Sequence, residues 1–266
     1  MQVTFDTNTL DRAVRPERFP KDPRQPDYLK VRDALRSETL KGFFCETLVI
    51  IEGIQKKNRV ATLGSTEIRS QILPETMTSE GIVAIPINMR VGQQRQPLHP
   101  EVLARVQAAL ALGIRILGAP RIGQTRIDDP QGTIYVEEPD EDALSNRLDR
   151  FHDAGQMIER RGVGVAQIQT LASNFAKRDN VQEIWFNSLL RAKDVHEINA
   201  VARACAEWAD GDSIAAHIGY GNDIFCTEDT GKSAGAPSIL DVTNRAWLEA
   251  TYGVKFVALS QLAAMV

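Results

Sequence analysis

Gly211–Asp229, GDSIAAHIGYGNDIFCTED, is the stretch on which the reading of this chain turns. Asp212 stands where a helix N-cap would stand, ready to accept from the free backbone N–H groups of a first turn. Ser213 to Tyr220 then reads as a short helix with Ile214 and Ile218 on one face, and Gly219 and Gly221 as its stop. Asp223 to Thr227 is a compact apolar strand, followed at once by Glu228 and Asp229. Ligand sites of open α/β sheets gather at the carboxyl ends of strands. The stretch therefore predicts two acids, one on a helix start and one past a strand end, approaching one point.

Working outward, the same grammar recurs. Gln2 to Phe5 is a strand ending in Asp6-Thr7-Asn8, and the Pro- and charge-rich Arg15 to Pro26 is a loop. Tyr28 to Ser37 is a helix, Gly42 to Cys45 a strand, and the run from Glu46, ETLVIIEGIQKKN, a helix. Residues 59–97 carry Gly, Pro and weak alternation, which predicts an irregular β-hairpin insertion. Pro100 to Leu112 is a helix stopped by Gly113, and Ile114 to Leu117 is a third strand. Thr133 to Val136 is a short strand, and helices are expected at Pro139–Arg161, Val165–Lys177, Val181–Arg191 and Val195–Trp208, so that 125–192 reads as a helical insertion. Asp241 to Tyr252 is a helix and Val254 to Leu259 a last strand. About five strands alternating with helices predict a parallel sheet with right-handed crossovers, in one domain spanning 1–266.

Composition sets bounds. The 266 residues include 31 Lys and Arg against 35 Asp and Glu, so no global basic field advertises a nucleic-acid partner. Cys45, Cys205 and Cys226 sit in apolar runs without CxxC spacing, which reads as buried thiols in a reducing compartment. No run approaches the ~18 apolar residues of a membrane span, and Asp6 interrupts any apolar leader. The expectation is a cytoplasmic protein with no membrane partner.

Four acids take matching places on this scheme. Asp6 follows the first strand in FDTN, Glu52 lies in the helix after the second in TLVIIEG, Asp212 opens a late helix in GDSIAAH, and Asp229 follows the fourth strand in FCTED. In that order and placement the chain resembles the PIN-like nuclease superfamily over about residues 1–58, 98–118 and 195–266. The ending YGVKFVALSQLAAMV is similar to the closing helix, strand and tail of that family. The resemblance implies a three-layer α/β/α fold and a metal-dependent phosphodiesterase, an endoribonuclease hydrolysing single-stranded or structured RNA. It implies Asp6, Glu52, Asp212 and Asp229 as ligands and catalytic groups, with Mg²⁺ or Mn²⁺ as cofactor. Hard, oxygen-seeking ions suit a carboxylate cluster that would otherwise repel itself. Asn8 and Thr227 are expected to orient carboxylates. Glu46, six residues before Glu52, is the alternative helix-two ligand, and Asp11, Asp210 and Asp223 are nearby alternatives. The competing reading is a non-catalytic PIN-like module that binds nucleic acid or a protein partner.

A phosphodiester needs cations to hold it. Between Ile82 and Arg126 six arginines stand against the single acid Glu101, and Arg90, Arg95 and Arg121 fall in expected loops. They are the candidate substrate contacts, with RNA as the preferred nucleic acid and an antitoxin or a second copy as further partners. Other motifs fail: His196-Glu197 lacks the second His of HExxH, Gly231-Lys232-Ser233 lacks the earlier Gly of a phosphate loop, and no GxSxG is present. His217 is expected to be a packed residue rather than a catalyst.

Overall fold

The strands β1 (Gln2–Phe5), β2 (Lys41–Cys45), β3 (Arg115–Leu117), β4 (Ile224–Cys226) and β5 (Phe256–Val257) form one sheet in the computed structural model, in the order β3-β2-β1-β4-β5. All its pairings are parallel, with Val3 opposite both Gly42 and Ile224, Phe44 opposite Ile116, and Phe225 opposite Phe256. The structure describes residues 1–77, 81, 83–94, 97–121, 127–231 and 237–266. Short, almost wholly apolar strands suit a sheet buried on both faces, and side chains alternate between two cores. Val3, Phe5, Phe44, Ile116, Ile224 and Cys226 enter one core, and Cys45, Leu117 and Phe225 enter the other.

Helices supply the rest of both cores. They are α1 (Thr7–Val14), α2 (Gln25–Arg36), α3 (Thr47–Ile50), α4 (Arg59–Gly64), α5 (Pro100–Ala111), α6 (Glu141–Arg160), α7 (Val165–Arg178), α8 (Trp185–Ser188), α9 (Val195–Tyr220), α10 (Val242–Tyr252) and α11 (Leu259–Met265). Leu10, Val31, Ala109 and Leu262 place α1, α2, α5 and α11 on the first face. Phe151, Ile158, Ile214 and Leu248 place α6, α9 and α10 on the second. A third cluster, around Ile168, Phe186, Cys205 and Trp208, joins α7 and α8 to the first half of α9. The expected helical insertion is therefore split, since α6 covers the sheet while α7 and α8 build beside it. All three cysteines are buried and unpaired.

Several expectations change. Val195–Trp208 and Ser213–Tyr220 are one 26-residue helix, capped by Asp194, whose carboxylate accepts from the N–H groups of His196 and Glu197. Asp212 is thus inside a helix and caps nothing. Gly211 does not break α9; it lets another segment in. A Cβ there would stand 2.9 Å from the Cα of Gly164 and 3.5 Å from the Cγ2 of Ile158. Only Gly221, left-handed at φ 69°, ends the helix.

The expected helix from Glu46 is the single turn of α3, so Glu52 lies in the irregular turn after it. Val49, Ile50 and Ile51 are β-branched and Gly53 follows, a poor helix sequence. Val181–Arg191 gives only α8 and a 3₁₀ turn at Leu189–Arg191. Thr133–Val136 gives an isolated bridge from Tyr135 to Ile116 rather than a strand. The last strand is the two-residue β5 and the chain then turns into α11. The segment 59–97 does hold an antiparallel hairpin, Glu67–Ile72 with Ile87–Gly92, but it begins with α4.

Gly211→Ala tests the close approach. Alanine is the better helix former by about 1 kcal/mol, yet the Gly164 backbone has no room for its methyl. The variant is expected to lose about 1–3 kcal/mol in urea unfolding; a gain in stability would refute the packing role.

Candidate functional site

The sheet order reverses direction between β1 and β4, because β1 leads toward β2 and β3 on one side while β4 and β5 lie on the other. The loops leaving the carboxyl ends of β1 and β4 must therefore diverge, and a crevice opens between them. Asp6 stands at that point. Its N–H donates to the Cys226 carbonyl at 3.0 Å, carrying the β1–β4 ladder one step past the strands.

Asp6 caps α1 and is closely held. Oδ1 accepts from the Thr7 N–H at 2.6 Å; Oδ2 accepts from the Thr227 hydroxyl at 2.6 Å and from Asn8 Nδ2 at 2.5 Å. Asn8 Oδ1 in turn accepts from the Glu228 N–H at 2.9 Å, and Thr227 Oγ1 accepts from the Asp229 N–H at 3.0 Å. Asn8 and Thr227 thus both donate to the Asp6 carboxylate. Burial raises the pKa of Asp6, opposed by these hydrogen bonds and reinforced by the charge of Asp229.

Glu52 arrives from the turn after α3 and accepts a hydrogen bond from the Thr7 hydroxyl. Burial pushes its pKa to about 7, with the Asp6 charge adding to the rise and Arg59 and Arg105 opposing it. Asp229 follows β4, and its Oδ1 accepts from the Gly231 N–H at 2.8 Å.

The fourth member of the group is Asp210, not Asp212. Asp210 keeps some solvent contact, but protein surrounds it closely, and burial holds its pKa well above the ordinary value. The charges of Asp6, Glu52, Glu207 and Asp229 push it the same way. Among the described residues nothing donates to its carboxylate. Two residues on a helix are about 200° apart, so Asp212 faces away. It is buried and bridged by Arg121, through Nη2 at 2.6 Å and Nε at 3.2 Å, and accepts from Trp208 Nε1 at 2.8 Å. With Gly211 read as a helix break, the sequence could not reveal this phase.

The other candidates lie elsewhere. Glu46 is fully buried, accepting from the Ala119 N–H at 2.7 Å and from the Tyr135 hydroxyl at 2.7 Å, and ties the end of β2 to that of β3. Asp223 accepts from the Gln2 N–H at the opposite end of the sheet, and Asp11 of α1 pairs with Arg15, the residue that caps the helix's C-terminus. Arg121 is neutralised by Asp212 and by Glu159 at 2.7 Å, so it is not a free phosphate contact. Arg90 lies in a hairpin strand rather than a loop, and Arg95 falls outside the described residues. His217 is packed as expected, its ring against Phe225 and its Nδ1 2.9 Å from the Thr4 hydroxyl, with burial lowering its pKa to about 4.

Beside the acids lies a cavity of about 380 Å³, bordered by Leu171, Arg203, Glu207, Asp210 and Asp229. Glu207 closes one wall, accepting from the N–H groups of Ile239 at 2.6 Å and Gly164 at 3.3 Å. Arg203 is exposed at the rim, on the α9 face that also carries Glu207 and Asp210. Its spacing from Asp210, i to i+7, was visible in the sequence once α9 is continuous. A larger recess of about 1070 Å³ lies at the other end of the strands, against Gln2, Lys41 and Gly42, away from every acid of the group.

No family model, curated protein or solved structure matches this chain. Among the described residues, no three His, Cys, Asp or Glu side chains are arranged so that they could hold a metal ion. No described helix is long and apolar enough to cross a membrane.

Two measurements separate the acids. Glu52 binds its proton more tightly folded than unfolded, so its contribution favours the fold below about pH 4.5 and is lost as pH rises through about 7. In chelator, melting temperature should fall between about pH 5 and about pH 8, and Glu52→Gln should flatten that fall. Asp210→Asn, which removes an acid disfavoured by burial and by its neighbours' charges, should not destabilise the fold. Asp212→Ala, by contrast, strips Arg121 and Trp208 of their shared partner and should cost about 3 kcal/mol at any of these pH values. Equal destabilisation by Asp210→Asn and Asp212→Ala would contradict the assignment.

Proposed function

We propose that this chain is a PIN-like, metal-dependent phosphodiesterase that cleaves RNA, with Asp6, Glu52, Asp210 and Asp229 as its acid set. The observation that carries the reading is the placement of Asp210, an acid without a hydrogen-bond donor among the described residues, on the same cavity as Asp229 at the switch point of a parallel sheet. Burial and the charges of Asp6, Glu52 and Asp229 raise its pKa there. Perturbed acids gathered in a cleft are a signature of function. The five-stranded parallel sheet and the placement of Asp6 and Asp229 past its first and fourth strands are compatible with the family resemblance.

An all-oxygen donor set fits Mg²⁺ or Mn²⁺ in chemistry. Without a cation, like charges hold carboxylates apart, so coordination requires side chains to move from their present positions. When bound, the ion supplies positive charge that polarises a phosphoryl oxygen and acidifies water. The chain's own residues do the remainder. Asp6 is pinned by Thr227, Asn8 and the Thr7 N–H, so it is the fixed reference of the set. Glu52, titrating near 7, can take up or give back a proton at working pH. Arg203, at the cavity rim beside Asp210, is placed to meet a phosphate. The Arg59 guanidinium is spoken for, its Nε donating to the Ile54 carbonyl at 3.2 Å.

One observation favours a second reading, a non-catalytic module of the same fold that binds nucleic acid or a protein: among the described residues, no three acids stand ready to hold an ion. A single experiment separates the two. Single-stranded and hairpin RNA, with DNA controls, are incubated with the protein and Mn²⁺, then with EDTA. The nuclease reading expects cleavage that EDTA abolishes, and Asp6→Asn and Asp210→Asn should each be nearly inactive. Asn8→Ala, which loosens Asp6 only indirectly, should lose about 10–100-fold. Asp212→Asn should retain activity in whatever fraction folds. Cleavage surviving both chelator and Asp6→Asn would sink the mechanism, and binding without cleavage would select the second reading.

A further inference from the structure

The hairpin is amphipathic by its register. Ile68 stands opposite Val91, Ser70 opposite Met89 and Ile72 opposite Ile87, all on one face. Arg69 opposite Arg90 and Gln71 opposite Asn88 occupy the other. A second rung pairs Met77 with Val83 and Thr76 with Ala84. The base is seated, with Ile68 packed against the α7–α9 cluster and Gln93 Nε2 donating to the Thr66 hydroxyl at 2.9 Å. Beyond the base the apolar side chains are bare: Ile72, Met77, Val83, Ile85, Ile87 and Met89 are between 44% (Met89) and 77% (Met77) exposed.

We propose that this ribbon is a dimerisation arm, its apolar face packing on the same face of a second copy of the chain. Ile72, Ile87 and Met89 on this face, with Met77, Val83 and Ile85 in the rung and turn beyond it, together expose several hundred Å² of apolar surface. That is the size of patch that marks an interface and the order of what each partner contributes to a standard one. A two-stranded ribbon is at best marginal alone in water, and stacking two apolar faces ~10 Å apart supplies the missing layer. The face is self-complementary, as a two-fold interface demands: within the paired register of Ile68–Ile72 and Ile87–Val91 its only polar member is Ser70, and that register carries no charge on this face. Arg69 and Arg90 lie on the reverse side, so face-to-face stacking opposes no like charges. A nucleic acid would engage that arginine side and leave the apolar surface in water, which is why a second copy is the better occupant.

Sedimentation velocity of the full chain over about 1–100 µM tests this, since dimerisation follows mass action. The expected species has the mass of two 29.5-kDa chains. Ile72→Lys combined with Ile87→Lys should weaken association at least ~100-fold, as should the milder Ile87→Ser to a lesser degree, with unchanged circular dichroism. Arg69→Ser with Arg90→Ser should remain dimeric. Because Cys45, Cys205 and Cys226 are buried, Ile87→Cys adds a single reactive thiol, and mild oxidation should link it between copies. A wild-type monomer throughout, or a dimer that survives the lysine pair, overturns the proposal. These readouts do not involve RNA or metal, so they stand or fall apart from the nuclease reading.

Discussion

The parallel pairing of β1 with β4 is the constraint on which the acid group depends. It places Phe5 beside Cys226 and continues through the Asp6 N–H to the Cys226 carbonyl. The first residues past each strand are thereby fixed as neighbours although 221 positions separate Asp6 from Thr227. The Thr227 hydroxyl and the Asn8 amide then complete a small lattice around one carboxylate. Free-energy terms of about 1–3 kcal/mol for hydrogen bonds to a charged group explain how a buried acid is tolerated there.

Helix α9 sets the other side. Its continuity through Gly211 assigns opposite roles to two acids that are adjacent but one in sequence. Asp212 turns toward Arg121 and Trp208 and becomes part of a paired, structural network. Asp210 turns toward Asp6, Glu52 and Asp229 and has no such relief among the described residues. Burial without pairing is what distinguishes an acid held in reserve from one that is satisfied.

Much of this was legible in the sequence. Short apolar runs, three of them ending in Asp or Glu, located four of the five strands closely, since a buried parallel strand has few other sequence solutions. Asp6 and Asp229 followed from those strand ends, whereas Glu52, expected in a helix after the second strand, lies in the turn after α3. The phase of α9 did not, because Gly before Asp is an ordinary N-cap pattern and the reason for Gly211, the Gly164 backbone, lies 47 residues earlier. Nor did the fate of Arg121, whose partners Glu159 and Asp212 are distant in the chain. Glu46 and Glu52 look alike in sequence; only the burial of Glu46 between the Ala119 amide and Tyr135 tells them apart.

The length of α9 has a mechanical meaning. Twenty-six residues make a rod of about 39 Å, whose first half is embedded among Val201, Cys205 and Trp208 and whose second half carries Ile214 and Ala215 beneath the sheet. Asp210 sits at the fulcrum between the two. Its carboxylate therefore keeps station only while both cores grip the same shaft, and loosening the bundle around α7 would register at the acids as a displacement along α9.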